Sequence, residues 1–215
     1  MLDTQPTLTG PTVVLRPLAA GDWEPLFAVA ADPAIWAIHP AHDRWQEPVF
    51  RRFFDEALAS GGALVVLDRA TRAVIGSSRF DFARVRAGEV EIGWTFLARS
   101  HWGGATNREV KALMVGHALP SVDRVIFRVG DTNLRSRRAM EKIGAVLTDR
   151  SDTAEMAGST IRHVIYAIDR IAFAAGPLYT FNDREGKTAN DWTPAEDQAQ
   201  RELLLGWHEL SPGDI

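Results

Sequence analysis

Two glycines before a run with helical spacing form the stretch of this sequence best suited to chemistry. Gly103 and Gly104 follow an apolar, strand-like run that ends at Leu97, and they precede a helix-like run over Val110–Leu119. The first amides of a helix have no partner within the helix, and the helix dipole makes this end positive. Because glycine has no side chain, a ligand can approach its backbone closely. The spacing therefore predicts a site for an anion such as phosphate, with a plain turn as the alternative.

A second polar motif follows the next predicted strand. Residues 125–129 alternate and are rich in β-branched side chains, which is typical of a strand. Asn133 comes after this strand and can cap a short helix that Gly144 would end. The region thus shows the order of strand, polar turn and helix twice.

Taken together, these motifs resemble those of the GNAT superfamily of N-acyltransferases. The chain reads Trp-Gly-Gly-x-x-Asn-x-Glu from Trp102 and Asn-x-x-Ser-x-x-x-x-Glu-Lys-Ile-Gly from Asn133, and Leu15-Arg16-Pro17 precedes both. The pattern is most similar to the branch whose enzymes acetylate the N-termini of ribosomal proteins. The resemblance extends over residues 12–168. It implies transfer of an acetyl group from acetyl-CoA to a primary amine, either of a small molecule or of a peptide N-terminus.

The glycine turn also departs from the usual superfamily pattern. The positions that usually hold Gln or Arg, then Gly, then Gly or Ala are occupied by Trp102, Ala105 and Asn107. A tyrosine that many members use to protonate the leaving thiolate is replaced by Met140. These departures leave a non-catalytic acyl-CoA-binding module as an alternative to an enzyme.

The resemblance assigns the acyl-CoA to the end of one strand, the glycine turn and the helix after Asn133. Backbone amides near Phe96 and Leu97 would hold the pantetheine arm and polarise the thioester carbonyl. Arginine suits phosphate geometry, so Arg138 is a candidate for the 3′-phosphate, with a solvated helix face as the alternative. The expected acyl-CoA contacts are Phe96, Leu97, Trp102, Gly103, Gly104, Ala105, Thr106, Asn107, Asn133 and Arg138.

Two side chains are candidates for the proton transfers of this reaction. Glu89 and Glu91 alternate on one strand and share a face, and Glu91 is expected nearer to the slot for the thioester. A carboxylate there can take a proton from the amine, directly or through water, unless both are simply solvated. Ser136 is the candidate to donate to, or hydrogen-bond, the leaving sulfur. Trp36 and His39 stand in a loop expected to bind the acceptor, where His39 could also act as a base.

Composition and charge exclude several other classes of protein. A net charge of −4 gives no strong positive field for collecting nucleic-acid phosphates. The chain has no cysteine, which excludes disulfides, thiolate metal sites and a cysteine nucleophile. Neither a His-Glu-x-x-His motif nor an aspartate-rich calcium loop is present, so no metal is predicted. No segment resembles a signal peptide or a membrane span, so we expect a cytoplasmic protein.

The order of predicted elements indicates an α/β (α+β) fold. One strand, two helices, three strands, a helix, a strand, a helix and two strands favour a mixed, largely antiparallel sheet flanked by helices. The resemblance adds that two central strands splay apart. Residues 1–171 are expected to form this domain, with a loose start over residues 1–11. Residues 172–215 are expected to add a linker over 176–190 and a short helix from Thr193, whose apolar end at 203–207 packs on its own domain or in a homodimer.

Overall fold

One eight-stranded sheet organises the chain in this computed structural model, which describes residues 1–179, 193–195 and 198. The spatial order of the strands is β1-β2-β3-β4-β5-β6-β8-β7, and neighbours are antiparallel except for β5 and β6. The predicted mixed, largely antiparallel sheet is therefore confirmed. The strands are β1 (Leu8–Thr9), β2 (Val13–Pro17), β3 (Ala63–Asp68), β4 (Val74–Asp81), β5 (Glu89–Leu97), β6 (Arg124–Gly130), β7 (Val146–Met156) and β8 (Ser159–Asp169).

Helices cover both faces of the sheet and divide the core in two. Leu64 and Val66 of β3 belong to the cluster that contains the helices over residues 106–118 and 170–175. Val65 and Leu67 belong to the cluster that contains the three helices over residues 23–59. Successive side chains of a strand point to opposite faces, so this apolar run is buried on both sides. The helices are α1 (Trp23–Ala30), α2 (Pro33–Trp36), α3 (Glu47–Ala59), α4 (Thr106–Ala118), α5 (Leu134–Lys142) and α6 (Arg170–Ala175).

The central strands β5 and β6 separate soon after they meet. They pair in parallel only where Glu89, Val90 and Glu91 oppose residues 124–126 of β6. Beyond these three pairs, residues 92–97 and residues 127–130 have no pairing with each other. The splay that the resemblance implied is confirmed, and it opens a slot in the middle of the sheet.

Several boundaries differ from the sequence prediction. Helix α4 begins at Thr106 rather than at Val110, so polar residues after the glycines form its first turn. The loop after α1 contains the short helix α2, which Asp32 caps by accepting a hydrogen bond from the Ala34 amide. The start of the chain is not loose, since β1 pairs with β2 and the Thr4 hydroxyl donates to the Gly61 carbonyl at 2.8 Å.

The end of the domain also differs in detail. Helix α6 crosses the boundary expected at residue 171, and Phe173, Leu178 and Tyr179 are buried in the first core cluster. The start of the expected linker therefore packs with the domain. Of the predicted tail helix, residues 194, 195 and 198 are helical, and its apolar end at 203–207 lies outside the described residues. Within the described ranges, no helix is both long and apolar enough to cross a membrane.

Candidate active site

A cleft of about 1140 Å³ runs along the slot between β5 and β6. It extends from the start of α4 to the loop that holds α2. Among the predicted site residues, the cleft is lined by Trp36, His39, Glu91, Phe96, Leu97, Trp102, Gly103, Gly104, Ala105, Asn107, Asn133, Ser136 and Arg138. The predicted contact Thr106, the first residue of α4, does not line the cleft, whereas its neighbours Ala105 and Asn107 do.

The start of α4 is open to a ligand. Its N-cap residue is Ala105, which has no side-chain oxygen to accept a hydrogen bond from the first helical amides. Gly103 has a φ of 74°, a left-handed conformation that favours glycine, and a side chain at Gly104 would meet nothing within 4 Å. This turn therefore combines a helix start without a side-chain cap, a positive helix end and room for close approach, which together suit a diphosphate.

The opposite wall near α5 is different. The Asn133 side chain accepts a hydrogen bond from the Ser136 amide at 3.1 Å, so it caps α5 as the sequence allowed. Arg135 reaches across the cleft and places its guanidinium 4.3 Å from the centre of the Trp102 ring. The Trp102 indole N–H donates to the Leu97 carbonyl at 2.9 Å. Trp102 and Arg135 thus join the glycine turn to α5 over the slot, and Arg138 is exposed beside them.

A β-bulge shapes the slot in β5. Ser77 pairs with Phe96 and Arg79 pairs with Gly93, so Trp94 and Thr95 together oppose Ser78. Trp94 has a φ of 51°, which is uncommon for a residue with a side chain. Bulges bend a strand and interrupt its hydrogen-bond ladder, and they are frequent beside active sites. Here the bulge lies in the part of β5 that lines the cleft, since Trp94 and Thr95 are both lining residues.

Glu91 lies at the base of the slot in an ion pair. Its side chain is 3% exposed, and the Arg128 Nε donates to its Oε2 at 3.2 Å. Burial raises the pKa of Glu91 although Arg128 opposes that shift. Glu89 is also buried, where Arg150 donates to its Oε1 at 2.7 Å, but it does not line the cleft. The two carboxylates are therefore not solvated, and only Glu91 faces the candidate site.

The two predicted acceptor contacts have well-defined partners. Trp36 is 2% exposed, lies 5.1 Å from the Phe96 ring between centres, and donates its indole N–H to the Ala30 carbonyl. His39 accepts a hydrogen bond at Nδ1 from the Ala41 amide at 2.9 Å. Burial lowers the pKa of His39 to about 3, with smaller contributions from Arg44 and Arg135. A neutral His39 whose Nδ1 accepts carries its proton on Nε2, so it is a hydrogen-bond donor toward the cleft rather than a base.

Lys111 is a cleft residue that the sequence analysis missed. It lies on α4, is 3% exposed, and donates to the Thr95 hydroxyl at 2.6 Å. Its Nζ also lies 5.5 Å from the centre of the Phe127 ring on β6. The signal was present, because Lys111 is the only charged residue in the apolar and small run from Val110 to Gly116.

Two arginines pack on aromatic rings near the α2 end of the cleft, where Arg44 lines the cleft and Arg79 lies behind the lining residues. The Arg44 guanidinium lies 4.6 Å from the Phe53 ring centre, and Arg79 lies 5.8 Å from the same ring and 4.6 Å from that of Trp94. Burial and the charge of Arg79 lower the pKa of Arg44 to about 10. Arg79 is 5% exposed, and its Nε and one terminal nitrogen have no hydrogen-bond partner in the described structure. Within those same limits, no group of three or more His, Asp or Glu side chains could hold a metal ion.

The chain belongs to the GNAT acetyltransferase family, because the family model of the acetyltransferase (GNAT) domain matches residues 12–146. Members of this family use acetyl-CoA. No curated protein sequence matches the chain significantly.

Solved structures of acetyltransferases share the fold. A GCN5-related N-acetyltransferase from Brucella melitensis has a TM-score of 0.67 and 19% identity, with 96% of this chain and 95% of that chain covered. A GNAT-family acetyltransferase from Bacillus anthracis has a TM-score of 0.63 and 17% identity, covering 76% and 98%. Spermidine N-acetyltransferase from Vibrio cholerae, solved with CoA and spermine, has a TM-score of 0.59 and 15% identity, covering 75% and 98%. At these identities the likeness establishes the fold and leaves the acceptor open.

Proposed function

We propose that this protein transfers an acetyl group from acetyl-CoA to the primary amine of a small molecule by direct attack. The observation that carries the proposal is the single cleft, which joins an uncapped helix start suited to a diphosphate to a buried carboxylate. The pantetheine arm would lie in the slot between β5 and β6. The thioester would then lie beside the bulge, between Glu91 and Ser136.

The side chains divide the chemistry of that transfer. Glu91 takes the proton that the amine loses, directly or through water, and Arg128 orients the carboxylate. The Ser136 hydroxyl makes no hydrogen bond within the described residues, lines the cleft and can bond to the sulfur. Trp36 and His39 line the cleft on the side proposed for the acceptor, and His39 would offer it an N–H group.

Charge favours an acceptor amine that also carries an acidic group. Among the described residues that line the cleft, Glu91 is the only carboxylate, against eight arginines and lysines. On the proposed acceptor side, the half-buried Arg44 is repelled by Arg79, and among the described residues Glu56 and Asp43 offset its charge to a smaller extent. A carboxylate on the acceptor would compensate these guanidinium groups, whereas a polycation would be repelled. We therefore expect the substrate class to differ from the spermine of the Vibrio cholerae structure.

A peptide N-terminus is the second candidate acceptor, since the motifs resemble the ribosomal-protein branch. One of those motifs has a purely local role, however. Arg16 of Leu15-Arg16-Pro17 donates to both carboxylate oxygens of Asp22, at 2.8 and 2.7 Å, and Asp22 in turn accepts from the Ala19 amide. This motif therefore fixes the turn before α1 and says nothing about the acceptor.

A screen with free-thiol detection tests the proposal. The full chain and acetyl-CoA are offered amino acids, acidic amino-acid conjugates, spermine, and short peptides with free N-termini. We expect acidic amines to give the highest kcat/KM, and Arg44→Gln to reduce it at least about 10-fold for these amines but not for uncharged ones. Preference for spermine would contradict the acidic acceptor, preference for peptides would favour the second candidate, and no thiol release from any amine would contradict the enzyme.

A further inference from the structure

The packing of the core does not require a buried lysine at position 111. An ammonium group has three donors, yet the only hydrogen bond of Lys111 within the described structure goes to the Thr95 hydroxyl. No carboxylate of that part of the chain lies within ion-pair distance of its Nζ. Burying a charge without a counter-charge is unfavourable, so a methionine or leucine would pack here at lower cost. Such residues concentrate at functional sites.

The position of Lys111 relates it to the reaction. Its Nζ contacts Thr95 in the bulge of β5 and lies over Phe127, the first residue of β6 beyond the paired segment. It therefore spans the slot where the two strands separate. Met140, at the position where the resemblance would place a tyrosine, lines the same slot from α5. A thioester held between the strands would have Lys111 on its α4 side.

We propose that Lys111 is the catalytic acid that protonates the CoA sulfur when the acetyl group leaves. This proposal rests on the proposed function. The amine nitrogen attacks the carbonyl carbon, the C–S bond breaks with its electron pair going to sulfur, and the proton of Lys111 moves to sulfur to give the CoA thiol. The amine proton goes to Glu91 or water. After the products leave, Glu91 releases its proton to water and neutral Lys111 takes one from water, so both groups return to their starting states. Ser136 holds the sulfur by a hydrogen bond in this scheme.

The ionisation of Lys111 fits such a donor. Burial lowers its pKa to about 7, and burial is the only cause of the shift. The charged residues on the elements packed around it include Arg79 on β4, Glu91 on β5, Arg128 on β6 and Glu109 on α4, and none of them contributes to the shift. Glu109 instead accepts hydrogen bonds from the amides of Thr12 and Val13. A donor whose pKa is near the working pH can both hold and release its proton.

The first test is the variant Lys111→Met, which keeps the length of the side chain and removes its nitrogen. We expect kcat to fall about 10²-fold with the best acceptor of the amine screen, while the affinity for acetyl-CoA changes less than about 3-fold. The ratio of wild-type to variant kcat should be largest at pH 6 and should decrease as Lys111 loses its proton above about pH 7. Thr95→Val, which removes the hydroxyl that accepts the hydrogen bond of Lys111, should lower kcat to a smaller extent.

The pH dependence of the free energy of unfolding distinguishes a catalytic role of Lys111 from a structural role. The pKa of Lys111 is about 7 in the folded chain against 10.5 for an unperturbed lysine, so the unfolded chain binds more protons between these values. The contribution of Lys111 to the free energy of unfolding therefore rises as the pH increases from about 7 to 10.5. Below pH 7 Lys111 is protonated in both states, and there its contribution is at its lowest. Lys111→Met should abolish that dependence and raise the melting temperature at pH 7.

A matched control is Arg170→Met, which removes a buried cation outside the cleft. Arg170 donates to the carbonyls of Leu119 and Val122 at 2.8 and 2.9 Å, so its loss should lower the melting temperature and leave kcat unchanged. The assignment would be overturned if Lys111→Met kept wild-type kcat across the pH range, or if it lost stability and activity together as a structural residue would. Failure of the unmodified chain to release thiol would instead contradict the proposed function itself.

Discussion

The two ends of the cleft offer a ligand different kinds of group. The glycine turn at the start of α4 offers mainly backbone groups, whereas the end near Glu91 offers side chains. The first end consists of Gly103, whose backbone has a left-handed conformation, of Gly104, which has open space around it, and of a helix whose first amides have no side-chain cap. The second consists of a buried carboxylate held by Arg128 and a buried lysine held by Thr95. Under the proposed function, the first end would recognise the phosphates common to every acyl-CoA, while the second would perform the chemistry. Mutations at the two ends should therefore separate affinity from turnover.

The largest effect is expected at the side-chain end. Glu91→Gln should lower kcat by about 10²-fold or more, because the amide cannot accept the proton of the amine. The affinity for acetyl-CoA, measured by calorimetry, should stay nearly unchanged. Glu89→Gln is the matched control, since Glu89 is buried and ion-paired on the same strand but does not line the cleft. Equal losses in both variants would show that only the packing of β5 matters.

The backbone end should show the opposite behaviour. Gly104→Val adds a side chain where nothing lies within 4 Å, so the fold should tolerate it. Acetyl-CoA should bind at least about 10-fold more weakly, which corresponds to about 1.4 kcal/mol, because the phosphates can no longer approach the backbone. Gly21→Val, at another glycine with open surroundings, should leave the affinity unchanged. Wild-type affinity of the Gly104 variant would place the diphosphate elsewhere.

A smaller effect on kcat is expected for Ser136, which lines the cleft from α5. Ser136→Ala should lower kcat about 2–10-fold, the range that one hydrogen bond to the sulfur can supply. The melting temperature should hardly change, because the capping bond of α5 uses the Ser136 backbone amide rather than its hydroxyl. Steady-state kinetics on the same acceptor as Glu91→Gln give the comparison, and a loss as large as that of Glu91→Gln would make Ser136 the proton donor in place of Lys111.

The smallest catalytic effect is expected for Asn133, which serves α5 as a cap. Asn133→Ala should lower the free energy of unfolding by about 1 kcal/mol through loss of the cap. Chemical denaturation measures that change. Affinity for acetyl-CoA should be retained, and a selective loss of affinity would instead make Asn133 a ligand for the pantetheine amide.

The sequence predicted the backbone end of the cleft better than its interior. Glycine turns, helix starts and strand periodicity are local signals, so the order of elements and the place of the α4 turn could be predicted. Helix α4 starts earlier than predicted. The prediction missed its first turn because Thr106 and Asn107 lack the apolar spacing that indicated a helix from Val110. The burial of Lys111 and the arginines around Phe53 depend on segments that are distant in the sequence and meet only in the folded chain.

Titration calorimetry of the full chain with acetyl-CoA, supported by intrinsic tryptophan fluorescence, tests the central claim most directly. One saturable site per chain is expected, with competition by CoA and a change in tryptophan emission, because Trp102 lines the cleft. The absence of both heat and fluorescence change at millimolar acetyl-CoA would contradict the assignment of this cleft to an acyl-CoA substrate.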